Sequence, residues 1–142
     1  MASTNDPDER DDRALERLLA ALAAIEEAAA ANVERSREVQ DRARLFQQRL
    51  RAGDRIADLV ANEDRPRTVE LLTANMTTLE TAGAELRAAQ ALALREEGMT
   101  IAAIAELFGV TRQRISALLR QRAALEAEVS SPTPSPLPSP RG

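Results

Sequence analysis

All-α is the fold class this sequence predicts, with long coiled-coil-like helices leading into a run of shorter ones. Three observations predict it. The 142 residues include 28 Ala, and Leu, Glu, Arg and Gln, all strong helix formers, supply much of the rest. Apolar residues recur in steps of three and four over long stretches free of Gly and Pro. No stretch alternates polar and apolar as a half-buried strand does.

The first long helix is predicted over 11–51. Leu15, Leu18, Leu22, Ile25, Ala29, Asn32, Ser36, Val39, Ala43, Phe46 and Leu50 form a seven-residue seam, the signature of a helix that pairs with another. Leu15, Leu18, Leu22, Ile25, Val39, Phe46 and Leu50 are its candidate dimerisation residues. Asn32 either sets register from inside the seam or faces solvent. Gly53 breaks the pattern and Asp54 can cap a short helix over 54–63. Pro66 suits the first turn of a second long helix running to about Glu97, with Val69, Leu72, Met76, Leu79, Gly83, Leu86 and Ala93 on one face. Gly83 either lets that helix bend or divides it. The two long segments can fold back as an antiparallel hairpin or pair with a second chain. Because Ala buries little area, dimerisation is favoured.

The termini differ in character. Residues 1–10 are acidic and broken by Pro7, and are expected to be a disordered arm. Five of the last eleven residues are Pro, so a disordered Pro/Ser-rich tail is expected to follow the last helix within 125–142.

Composition excludes several functions. Cys and His are both absent, which removes thiolate sites, the commonest metal ligand and the commonest general base. There is no phosphate loop and no nucleophile elbow. Glu26–Glu27 and Glu96–Glu97 are neighbours whose side chains diverge by about 100° on a helix. No enzyme activity, cofactor or metal is expected. No signal peptide and no membrane span is expected, so the chain reads as cytoplasmic. All 19 basic residues are Arg, a usage that points through codon composition to a GC-rich bacterial genome.

Net charge is −4, but residues 1–12 carry five acids and one Arg, so the remainder is balanced. Thr111–Leu125 holds four Arg and no acid, a local basic face suited to phosphate.

Residues 98–124 read GMTIAAIAELFGVTRQRISALLRQRAA. Thr100 and Thr111 can each cap a helix, and Gly109 separates the two. Ala105 is small where two helices would cross, and Ile104, Phe108, Val110, Ile115 and Leu118 are apolar. This pattern resembles the helix-turn-helix of bacterial regulators. LREEGMTIAAIAELFGVTRQRISALLR is similar to the promoter-reading unit of sigma factors and to the DNA-binding ends of resolvases and invertases. The resemblance covers about 85–124, with 85–97 as the supporting first helix of a tri-helical unit. No recombinase domain and no other sigma-factor region accompanies it, and 11–84 resembles no family.

The resemblance implies binding to double-stranded DNA through helix 111–124. With Ile115 and Leu118 inward, Arg112, Gln113, Ser116 and Ala117 face the major groove. Arg112 suits guanine, Gln113 adenine, and Ala117 a thymine methyl. Arg114, Arg120 and Arg122, with Thr100 and Thr111 at helix starts, suit phosphates. The leading expectation is a homodimeric, nucleoid-associated transcription regulator. The alternative is a helical adaptor binding another protein, such as a polymerase, sigma factor, toxin or phage component, with secondary DNA contact.

Overall fold

The computed structural model describes residues 7–130. Among them are five α-helices and no strand: α1 (Pro7–Arg51), α2 (Ile56–Ala61), α3 (Thr68–Glu96), α4 (Ile101–Phe108) and α5 (Arg112–Ser130). The expected all-α architecture is present. No helix among these residues is long and apolar enough to cross a membrane.

α1 begins earlier than the sequence predicted. Residues 7–10, assigned there to a disordered arm, form its first turn. Proline at the first helical position removes an N–H that has no partner in any case, and Asp8 and Glu9 sit where the helix dipole favours anions. Residues 1–6 and the expected Pro-rich tail from 131 onward lie outside the described residues. α5 continues to Ser130, inside the stretch 125–142 in which the sequence places the helix end.

α1 and α3 pack as an antiparallel hairpin within one chain. The buried stripe on α1 is Ala14, Ala21 and Ala28, seven residues apart. On α3 it is Leu71, Asn75, Ala82 and Ala89. Alanine at these positions lets the two backbones approach closely. The seam therefore lies one residue before the expected one. Leu18, Ile25, Asn32, Val39 and Phe46 are half-buried beside it, while Leu15, Leu22 and Leu50 stay exposed at 54%, 44% and 43%.

The same seven-residue step continues along α1 as Arg35, Arg42 and Arg49, and its chemistry changes there. Arg35 Nη1 donates to Asn75 Oδ1 at 3.4 Å, and Asn75 Nδ2 donates to Ser36 Oγ at 3.4 Å. Asn75, not Asn32, is the buried asparagine of this seam. It places residue 75 opposite 35–36, so that one-turn slippage would strand its amide. Arg42 pairs with Glu38 at 2.9 Å and donates to the carbonyl oxygens of Asp64, at 3.1 Å, and Pro66. Arg49 pairs with Asp54. These guanidiniums fasten the returning link to α1.

That pairing explains why Asp54 does not cap α2. Its carboxylate is held by Arg49, and Arg55 occupies the cap position without a side-chain bond. Pro66 likewise lies before α3, which starts at Thr68, and the Arg65–Pro66 peptide is cis. α3 passes through Gly83 unbroken.

Glu63 closes the start of α3. Thr68 donates both its backbone N–H, at 2.6 Å, and its hydroxyl to Glu63 Oε1, and Arg42 Nη1 lies 3.5 Å away. These bonds, the Thr68 hydroxyl first, hold the Glu63 carboxyl below its ordinary value of 4.5. The folded chain thus binds this proton less readily than the unfolded one. Its contribution is complete above 4.5 and is lost as pH falls through the lowered value. Glu63→Gln is expected to cost roughly 1 kcal/mol at neutral pH. In urea denaturation the gap between variant and wild type should narrow as pH drops below 4.5.

Candidate nucleic-acid interface

The second unit is built from the end of α3, α4 and α5. Ala91, Ile104, Ala105, Ile115 and Leu118 form its core, with Ile104 and Ile115 fully buried. Leu94, Met99, Ile101, Phe108 and Leu119 pack around them. Ala91 and Ala105 are the small members of this core, 0% and 4% exposed, and leave room for the helices to pack closely. α3 therefore belongs to both units: it lies along α1 from Leu71 to its last turns, and those last turns also support α4 and α5.

The turn between α4 and α5 follows from local chemistry. Thr100 Oγ1 accepts from the Ala103 N–H at 3.1 Å and starts α4. Gly109 ends it with φ 67° and ψ 33°, in the left-handed region. The Val110 N–H then reaches the Ala105 carbonyl at 3.0 Å and the Gly109 N–H reaches Glu106 at 3.2 Å, which satisfies two otherwise orphaned carbonyls. Thr111 Oγ1 accepts from the Arg114 N–H at 3.2 Å and starts α5. A Cβ placed on Gly109 would meet nothing within 4 Å, so the cost of a side chain there is backbone strain alone. Gly109→Ala is expected to lose about 1–2 kcal/mol, and Gly109→Asn less, because asparagine tolerates this conformation. Thermal denaturation of the two variants checks the order.

The structure sets the expected DNA-contacting residues in three groups. Arg112 and Gln113 are exposed in the first turn of α5, while Ser116 and Ala117 are half-buried on the side away from the Ile115–Leu118 core. Gln113, Ala117 and Arg120, separated by four and three residues, share one line along the outer face. Arg120, expected at a phosphate, therefore stands in line with a base-reading candidate. Arg114 lies on a flank, where it lines a cleft of about 270 Å³ with Arg87, Gln90, Phe108, Val110 and Leu118. Arg122 is only half-exposed and pairs with Glu85 of α3 at 2.9 Å, so it ties α5 to α3.

Val110, one of the apolar positions of the helix-turn-helix pattern, is 41% exposed at the rim of that cleft. It follows the left-handed glycine, and its N–H rather than its side chain does the closing. Arg87 is the site residue that sequence reasoning missed. It lies on α3, twenty-seven residues before Arg114, and no local pattern connects the two. The cleft holds two guanidiniums and no carboxylate, an arrangement suited to a phosphate oxygen.

Residues 82–126 match the family model described as a homeodomain-like domain. No curated protein and no solved structure matches the chain. The matched span begins within α3 at Ala82 and contains α4, the Gly109 turn and the acid-free stretch of α5 that runs to Leu125. Residues 82–126, which follow a helical hairpin, thus form a helix-turn-helix similar to the homeodomain-like domains.

Proposed function

We propose that the protein reads DNA sequence in the major groove with α5 and acts as a homodimeric bacterial transcription regulator on the nucleoid, in the cytoplasm. The observation that carries this reading is the outer face of α5. Gln113, Ala117 and Arg120 form a line opposite a fully buried isoleucine, with Arg112 exposed at the helix start and no acid from Thr111 to Leu125. An apolar side fixes the helix on its scaffold, and a basic, hydrogen-bonding side is left to meet a duplex. Arg112 offers two parallel donors to guanine, Gln113 a donor and an acceptor to adenine, and Ala117 room for a thymine methyl. Thr100, Thr111, Arg114 and Arg87 lie where they can hold the adjoining phosphates.

A single unit of this size makes few phosphate contacts, and its affinity falls steeply with salt. Two copies on one duplex offset that weakness and favour an inverted repeat. The reading assigns no catalytic step and no cofactor. The test is selection of bound duplexes from a random pool by the full chain. A recovered inverted repeat supports the proposal, and recovery of unrelated sequences refutes it.

A further inference from the structure

One face of the hairpin is nearly free of charge. On α1 it comprises the positions reached in steps of four and three from Leu15 to Leu50; on α3, those from Val69 to Ala93. Each line lies one residue after the buried seam of its own helix, which is a turn of about 100°. In an antiparallel pair those two turns lead to the same side. Of eleven positions on α1 and eight on α3, Glu26 alone is charged, in a chain of which 30% is charged. Large side chains on this face lie open, among them Leu19 at 57%, Val69 at 65% and Met76 at 73%. The domain formed with α4 and α5 packs on the neighbouring side of α3, against Ala91 and Leu94, and borders this face at Gln90.

The charge along α1 indicates the occupant. Residues 7–30 hold seven acids and three arginines, a net of −4, and residues 31–51 hold three acids and six arginines, a net of +3. A second α1 running the opposite way sets each acidic half beside a basic half. The apolar pattern agrees. The Asn75–Arg35 bond places residue 76 opposite 34, so Val33 and Met76 lie at the same height. A two-fold axis there brings Leu15 over Leu50 of the copy, Val69 over the turn from Gly83 to Leu86, and Val33 and Met76 over their own equivalents. Nineteen positions approach the roughly 20–30 residues that each side of a standard interface contributes.

We propose that this face is covered by a second copy of the chain, with the two α1 helices antiparallel and the two-fold axis passing near Val33 and Met76. The proposal rests on the homodimeric reading and specifies its interface. It separates the two Ala91 positions by about 45 Å along the bundle, at 1.5 Å per residue, somewhat more than one turn of DNA.

The chain has no cysteine, so introduced thiols report on geometry without background. Val33→Cys and Met76→Cys, each alone in the full-length chain, are expected to give covalent dimers with a short bismaleimide. Leu15→Cys alone and Leu50→Cys alone are expected to stay uncrosslinked, because each site lies far from its own copy. The double variant Leu15→Cys with Leu50→Cys should crosslink again. Circular dichroism verifies that each variant keeps its helices. Crosslinking of Leu15→Cys alone overturns the antiparallel arrangement. Wild-type protein sedimenting as a monomer at tens of micromolar overturns the proposal and leaves the face to another protein. A monomer that still selects a DNA sequence defeats this interface and spares the DNA reading; a crosslinked dimer that selects none does the reverse.

Discussion

Ile115→Ala is expected to destabilise the C-terminal unit by about 2–5 kcal/mol, enough to unfold it while the α1–α3 hairpin persists. Ile115 is fully buried, and among the described residues Ala91, Ile104, Ala105 and Leu118 are the other buried members of its core. Two of those four are alanines, whose single methyl has no rotamer that could swing into a vacated space. The cavity therefore stays open and its full cost is felt. A small core has no reserve, since a domain retains only a narrow margin between burial and chain entropy. The measurement is urea denaturation followed by circular dichroism together with DNA binding. DNA binding should be lost at a urea concentration where most helical signal remains. One joint transition at the wild-type midpoint would show that Ile115 bears little of the load.

Gln113→Ala is expected to lower affinity for the preferred duplex by roughly ten- to a hundred-fold, the equivalent of about 1–3 kcal/mol for a good base contact. Binding to unrelated duplex should hardly change, because the side chain is neutral and contributes nothing to counterion release. Arg120→Ala separates two roles that the structure brings into question. On the line with Gln113 and Ala117 it would read a base, and its loss would relax sequence preference. At a phosphate, its loss would weaken all duplexes alike and reduce the slope of log affinity against log salt by about one. Equal loss on every duplex for Gln113→Ala itself would refute the assignment of α5 as the reading helix.

The helix-turn-helix was legible in the sequence because its rules are local. Thr100, Gly109 and Thr111 specify where helices start and stop within a dozen residues, and Ala105 and Ile115 sit at intervals that a helix dictates. The hairpin was less legible. A reading that weights leucine places the α1 seam on Leu15, Leu22 and Leu50, whereas the neighbouring stripe of Ala14, Ala21 and Ala28 is the buried one. Small side chains win there because they allow close approach, a property of two helices together. Asp54 as a cap failed for a related reason, since Arg49 from the preceding helix captures the carboxylate. Asn75 with Arg35, Arg87 beside Arg114, and Arg122 with Glu85 join residues far apart in sequence. No window of neighbouring residues contains such pairs.

α3 is one uninterrupted helix that serves as a strut of the hairpin and as the support of the reading helix. The domain consequently has no swivel at its base, and its aim is inherited from the stalk. In the dimer proposed above, a domain mounted this way could not reach for half-sites set a few base pairs nearer or farther; the duplex would have to bend or twist to meet it. Spacer length between half-sites would then become part of what that dimer recognises, enforced by stiffness rather than by any contact with a base.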